Sequence, residues 1–110
     1  VGLSHVCLRD VVREYMPKGA KTIWPSEMLS TRRLPYEDLT QVAEGMNSSG
    51  DDFWAPQILG NEEKFIAESL KKLEDHGAHA IDINMGCPVQ KALRHNYGVA
   101  LMGDVSYAAK

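Results

Sequence analysis

The stretch IDINMGCPVQK, residues 81–91, has the pattern of a half-buried β-strand that ends in a tight turn. Two isoleucines alternate with Asp82 and Asn84, so the polar pair shares one face of the strand and the isoleucines share the other. Gly-Cys-Pro then ends the run and presents Cys87 just beyond the strand. This pattern predicts a carboxylate, an amide and a thiol together at one strand end.

Two further apolar runs predict strands earlier in the chain. Ile23 and Trp24 suit a short buried strand, and we expect Pro25 at its end, where no ladder donor is needed. Residues 53–59 form the other run, and Pro56 within it predicts a bulge or an edge position. With residues 81–84, the chain therefore has three candidate strands.

Helices are predicted where apolar residues recur at the helical period. Residues 4–15 carry such a stripe, with Ser4 as a candidate N-cap. Residues 61–76 form the clearest element, because Asn61 is a candidate N-cap and Gly77 stops the helix. The order of helix, strand, irregular segment, strand, helix and strand predicts an α/β fold of parallel βα units.

The connecting segments are read from their turn residues. Residues 30–39 predict a loop or a short helix, and the turn-rich residues 45–52 are expected to be exposed. A loop is expected from Gln90 or Lys91 onward, and residues 105–110 predict the start of another helix. In folds of this kind, the carboxyl ends of the strands carry the chemistry.

Composition and charge limit the classes of function. The 110 residues are enough for one small domain, and the net charge of −3 argues against nucleic-acid binding unless a local basic patch exists. No apolar run approaches the ~20 residues of a membrane helix, and the first residues do not form a signal peptide, so a cytoplasmic location is expected. Cys7 and Cys87 have no metal-ligand spacing, so neither a metal site nor a disulfide framework is expected.

The strand-end residues allow both functional and structural interpretations. Cys87 is a small buried hydrophobe, or a proton donor or nucleophile; a Cys/His hydrolase is disfavoured because none of the four histidines has a recognisable spacing to it. Asp82 contacts a ligand, or it caps a neighbouring backbone or pairs with a lysine, whereas a ligand contact is favoured for Asn84. The amide of Gln57 suits an amide-edged ring such as a flavin or nucleobase, or it bonds a loop backbone.

A group of basic residues follows two of the predicted strands. Each one alone is expected to be a solvated surface side chain. As a set at the functional edge of the sheet, they are able to meet phosphates. The group consists of Arg32, Arg33, Lys91, Arg94 and His95.

The stretch IDINMGCPVQK, followed by YGVALMGD, strongly resembles the core of the tRNA-dihydrouridine synthases. SEMLSTRRLP and PQILGN stand in the order and spacing of that family's strand ends, and the likeness covers essentially the whole chain. One departure is at the start, where the family more often has Thr-Asp for Ser4-His5 and Phe-Arg for Leu8-Arg9. The resemblance implies a (β/α)8 TIM barrel that uses FMN, with NADPH as reductant, to reduce uridine in tRNA.

The resemblance also implies roles for individual residues. Cys87 matches the cysteine that delivers a proton to C5 of the uracil ring, and Asn84 would help to hold that ring. Gln57 would contact the flavin, which carries the difficult chemistry. With tRNA as the substrate, Lys91 and Arg94 of the basic group are expected to meet its phosphates.

A whole barrel of this type takes roughly 250 residues. The resemblance therefore implies that residues 1–110 are a fragment of the FMN-binding catalytic domain, with about three parallel strands and their intervening helices. The remainder of the barrel, or self-association, would be needed to complete the fold, and we expect the chain alone to bind FMN weakly or not at all and to be inactive. Two alternatives are another FMN-dependent barrel, such as a dihydroorotate dehydrogenase-like enzyme, and a non-catalytic truncated remnant.

Overall fold

A computed structural model describes residue 3 and residues 5–109 of the chain. The helices are α1 (Val6–Glu14), α2 (Glu63–Asp75), α3 (Gln90–Leu93) and α4 (Val105–Ala108), and two 3₁₀ helices span Leu34–Tyr36 and Gly98–Gly103. The strands are β1 (Ile23–Ser30), β2 (Phe53–Leu59) and β3 (Asp82–Ile83). The described elements follow the order that the sequence predicts, with short helices added in the connections.

The three strands form one parallel sheet in the order β1-β2-β3. Helix α2 connects β2 to β3, whereas turns and the first 3₁₀ helix connect β1 to β2. Gln57 pairs with Asp82 and Ile58 pairs with Ile83, so the carboxyl ends of β2 and β3 lie side by side. The structure confirms the predicted α/β class and its three parallel strands.

The hydrophobic core lies between one face of this sheet, helix α2 and the first 3₁₀ helix. Trp54 and Ile58 of β2 are 1% exposed, and Leu73 of α2 is fully buried against them. Burying a large apolar side chain of this kind stabilises the fold by about 1.5–3 kcal/mol. The remaining buried members of the core are Trp24, Leu29, Leu34 and Leu39.

The two prolines of the sheet occupy positions that the sequence predicts only in part. Pro25 was expected at the end of its strand, but β1 continues to Ser30, and an edge strand tolerates a residue without a ladder donor. Pro56 lies in the central strand, so the predicted edge position is wrong. An irregularity of the kind that a bulge produces is present, but it lies in the neighbouring strand β1. The β1–β2 register shifts between Pro25 and Met28, opposite Pro56.

Helix α2 begins one residue later than its sequence predicts. Glu62 is its N-cap, and Asn61 instead donates its Nδ2 hydrogen to the carbonyl oxygen of His95 at 3.1 Å. The partner of Asn61 is 34 residues away in sequence, so the local capping pattern gives no sign of it. Gly77 follows the helix with φ of +95°, which confirms the predicted stop.

The other helix boundaries also differ slightly from expectation. Ser4, the N-cap expected for α1, lies outside the described residues, and His5 is the N-cap of the helix. Helix α3 occupies the segment after Val89 that was expected to be a loop. Helix α4 confirms the helix predicted near the end of the chain.

The turn-rich residues 45–52 are predicted to be exposed, but they contain one buried charged side chain. The side chain of Asp51 is 1% exposed and pairs with Arg9 of α1 at 3.0 Å and with Arg13 at 2.6 Å. Its Oδ2 also accepts the backbone N–H of Ser48 at 2.9 Å. This cluster attaches α1 to the loop that precedes β2.

We expect Asp51→Ala to lower the free energy of unfolding by about 3–5 kcal/mol, because the buried guanidinium of Arg9 would lose its carboxylate. Urea denaturation followed by circular dichroism would measure the loss. Asp10→Ala is the matched control, since its carboxylate pairs with Arg13 at the surface and exposed pairs contribute little. Equal losses in the two variants would contradict the prediction.

Candidate active site

Three polar side chains are joined by hydrogen bonds at the carboxyl ends of β2 and β3. Gln57 donates its Nε2 hydrogen to Asp82 Oδ2 at 2.5 Å, and Asn84 donates its Nδ2 hydrogen to Gln57 Oε1 at 2.8 Å. The predicted shared face of Asp82 and Asn84 brings both side chains to Gln57, which the register places beside Asp82. The Gln57 amide thus bonds two side chains, and among the described residues it makes no hydrogen bond to a loop backbone.

Asn84 also closes the turn that contains Cys87. Its Oδ1 accepts the backbone N–H of Gly86 at 3.2 Å and that of Cys87 at 3.0 Å. An asparagine side chain that bonds the backbone two or three residues later is a common way to stabilise such a turn. Cys87 is a free, half-buried cysteine in this turn. The amide and the thiol that the sequence singles out therefore belong to one structural unit.

Gly98 supports the same turn from the other side. A Cβ atom at this position would lie 2.6 Å from Cys87 O and 2.9 Å from Cys87 Cβ, and the φ of +59° favours glycine. The next residue, Val99, donates its N–H to Cys87 O at 3.2 Å. The sequence reasoning missed this contact, although the YGV run and the preceding Asn96, with φ of +55°, mark a tight turn.

A buried tyrosine lies next to this glycine and contacts two members of the predicted basic group, Arg32 and His95. Tyr97 is buried, and burial raises the pKa of its hydroxyl, so the group stays protonated at neutral pH. Arg32 lies 6.0 Å from the centre of the Tyr97 ring, and His95 stacks on that ring at 5.5 Å. Arg32 Nε also donates to Glu62 Oε1 at 2.5 Å, which raises the pKa of Arg32.

The members of the predicted basic group differ in whether an acidic side chain neutralises their charge. Arg32 is paired with Glu62 and Arg33 with Glu37, so two of its charges are compensated locally. Lys91 lies on α3 and Arg94 is the C-cap of that helix, and both are exposed. In the described part of the chain, neither Lys91 nor Arg94 is bonded to the strand-end residues.

An apolar groove of about 320 Å³ lies on the other side of β3. Ile83 and Met85 line it together with Ile66 of α2 and Tyr107 of α4. None of the five predicted site residues lines this groove. The candidate site is thus defined by polar contacts at the strand ends and is separate from this apolar surface.

The described residues contain neither a group of metal ligands nor a membrane-spanning helix. Within residue 3 and residues 5–109, no three His, Cys, Asp or Glu side chains are grouped so that they would hold a metal ion. None of the helices in that part of the chain has both the length and the apolar character needed to cross a membrane. Neither finding adds a residue to the candidate site.

The profile of the dihydrouridine synthase family matches residues 1–110. The chain belongs to the dihydrouridine synthase family. The match confirms the resemblance inferred from the Gly-Cys-Pro segment and places the chain with these proteins rather than with dihydroorotate dehydrogenase-like enzymes. The candidate site lies within the matched region.

Individual relatives agree with the family match. A probable tRNA-dihydrouridine synthase of Rickettsia bellii is 39% identical over 111 residues, which cover 99% of this chain and 32% of the relative. Another, of Rickettsia prowazekii, is 48% identical over 86 residues, 77% of this chain and 26% of the relative. The tRNA-dihydrouridine synthase B of Xanthomonas campestris is 46% identical over 54 residues, 49% of this chain and 16% of the relative. The chain thus spans about a third or less of the length of these relatives.

We expect Gly98→Ala to displace the Cys87 turn and to destabilise the fold by about 1–3 kcal/mol, because the methyl group would collide with Cys87 and the backbone favours glycine. Gly103→Ala is the matched control, since it lies in the same 3₁₀ helix and its Cβ would meet no atom within 4 Å. Denaturation midpoints and the NMR shift of the Cys87 amide would measure both effects. Indistinguishable variants would refute the proposed contact.

Proposed function

We propose that this chain provides the uracil-reducing site of an FMN- and NADPH-dependent tRNA-dihydrouridine synthase. The observation that carries the proposal is the joining of Gln57, Asn84 and the Cys87 turn at the ends of adjacent parallel strands. Family membership and the names of the relatives support tRNA uridine as the substrate class. The active species would act on tRNA in the cytoplasm, with further βα units or self-association completing the barrel.

The donor set at Gln57 fits the amide edge of a flavin ring. Its Nε2 uses one hydrogen on Asp82 and its Oε1 uses one lone pair on Asn84, which leaves one N–H and one lone pair. An amide that both donates and accepts matches a ring edge with alternating carbonyl and N–H groups. When bound, the flavin would supply the hydride that adds to C6 of uracil, and NADPH would reduce it again.

Asn84 is restricted to donating a hydrogen bond to the substrate. Its Oδ1 already accepts two backbone N–H groups of the turn, and one of its two Nδ2 hydrogens goes to Gln57. The second Nδ2 hydrogen remains for a ligand. Asn84 would therefore bind a carbonyl oxygen of the uracil ring.

Cys87 would act as the general acid of the reaction. Hydride addition at C6 leaves negative charge on the uracil, and the Cys87 thiol would donate its proton to C5, which completes the reduction. Its half-buried position, on a turn that Asn84 holds by hydrogen bonds, would leave Cys87 partly accessible to a bound base. Solvent would then return a proton to the thiolate.

The exposed cations beside the site would bind the tRNA backbone. Lys91 and Arg94 follow the Cys87 turn directly and extend from α3 into solvent. Contacts to phosphates position an RNA without reading its sequence. The target base would leave its stack to enter the pocket, and backbone contacts of this kind would offset part of that energy.

We expect Cys87→Ala, made in the complete natural polypeptide that contains this sequence, to slow dihydrouridine formation by about 100- to 10,000-fold, because only proton delivery is lost. Flavin absorbance retained after desalting should not change. Cys7→Ala is the matched control, since Cys7 is an exposed cysteine on α1. Dihydrouridine is measured by mass spectrometry of digested tRNA, and equal rates in the two variants would remove Cys87 from the mechanism.

We expect the double variant Lys91→Ala/Arg94→Ala to bind tRNA more weakly, because two phosphate contacts are lost. The slope of log Kd against the logarithm of the salt concentration should fall by about 1.5. Fluorescence anisotropy without NADPH would measure binding at several salt concentrations. Lys64→Ala/Lys71→Ala is the control, since it removes two exposed charges from α2. Equal slopes for the two double variants would show that Lys91 and Arg94 do not meet phosphates.

A further inference from the structure

Asp82 lies at the start of the hydrogen-bonded series that reaches Cys87. Its carboxylate accepts the Nε2 hydrogen of Gln57 at 2.5 Å, and an ionised carboxylate has no hydrogen to donate in return. Gln57 must therefore turn its amide nitrogen toward Asp82. As a result, its Oε1 faces Asn84.

The two amides must have compatible orientations, and both ends of the series set them, because the Asp82 carboxylate only accepts and the two N–H groups of the turn only donate. Since Gln57 presents an oxygen, Asn84 must approach it with Nδ2, and its Oδ1 is directed to the N–H groups of Gly86 and Cys87. If both amides were reversed, Asn84 Nδ2 would face these two N–H groups, and donors would oppose donors. The N–H groups of Gly86 and Cys87 would then lose the oxygen that accepts their hydrogen bonds.

We propose that Asp82 is a positioning residue whose carboxylate, together with the N–H groups of the turn, fixes the direction of the hydrogen bonds through Gln57 and Asn84 to the Cys87 turn. The inference rests on the proposed function, in which Gln57 would contact the flavin, Asn84 would bind uracil and Cys87 would donate the proton. The direction leaves Asn84 with a donor for a uracil carbonyl and keeps Cys87 in its turn. Asp82 would thus control the binding and proton-donating groups without touching the substrate.

Asp82 is exposed to solvent, so its side chain does not contribute to the packing of the core. Asp82 is exposed, and among the described residues its side chain bonds Gln57 alone. The backbone N–H of Asn84 donates to Ile58 O at 2.9 Å and holds β3 to β2 independently of any side chain. Removal of the Asp82 charge should therefore change amide orientation and leave the strand pairing intact.

Amide hydrogen exchange, resolved by NMR in the complete natural polypeptide, tests the proposal. In Asp82→Asn the new amide is able to donate as well as accept, so the Cys87 N–H should exchange about 10-fold faster as a charge-assisted bond is lost. The Asn84 backbone N–H should keep its exchange rate. Asp75→Asn, the same change at an exposed carboxylate on α2, should leave both rates unchanged.

A second variant tests the direction itself. In Gln57→Glu/Asp82→Asn the carboxylate at position 57 accepts from both neighbours, so Asn84 must again present Nδ2 to it. Exchange of the Cys87 N–H should return to the wild-type rate, although the charge has moved. Unchanged Cys87 exchange in Asp82→Asn, or no recovery in the double variant, would overturn the proposal.

The measurement distinguishes this inference from the proposed function. Exchange is recorded without tRNA or NADPH, so it depends only on the hydrogen bonds of the protein. If the protein forms no dihydrouridine but Cys87 exchange responds as described, the proposed function fails and the role of Asp82 in ordering the turn stands. If it forms dihydrouridine but exchange does not respond, only the role of Asp82 fails.

Discussion

Gln57 lies beside Asp82 because β2 and β3 pair in parallel with one particular register. Side chains alternate between the faces of a strand, so a slip of one residue would turn Asp82 and Asn84 away from Gln57. The pairing of β3 extends over only two residues, and the backbone bond from Asn84 to Ile58 continues it. The site thus depends on a short ladder, and Ile81, immediately before β3, packs against the hydrophobic core.

The central strand contains a proline immediately before Gln57, and the sheet compensates for it. Pro56 has no N–H for the ladder, and the register of β1 shifts opposite it. The hydroxyl of Ser26 lies at this shift and accepts the Gln57 N–H at 3.0 Å. Gln57 is therefore held through its backbone by β1 and through its side chain by Asp82 and Asn84. A residue anchored on both sides is a rigid base for a ligand contact.

Local patterns in the sequence predicted most of the elements and failed where distant groups compete. The alternation around Asp82 predicted a strand with one polar face, and Gly77 predicted a helix end, because both patterns act within a few residues. Asn61 was expected to cap α2, but it bonds a carbonyl 34 residues away. Asp51 was expected to be exposed, but it pairs with Arg9, which is 42 residues away in sequence.

The sequence by itself determined the order of the elements, the polar strand end with its cysteine, and the family to which the chain belongs. Only the tertiary structure decided that Gln57 bonds Asp82 and Asn84, that Gly98 packs against Cys87, and that Glu62 compensates Arg32. The physical reason is range: periodicity and turn chemistry act between neighbouring residues, whereas these contacts form only when separate segments meet. Residue types at the site were therefore visible in the sequence, but the direction of their hydrogen bonds was not.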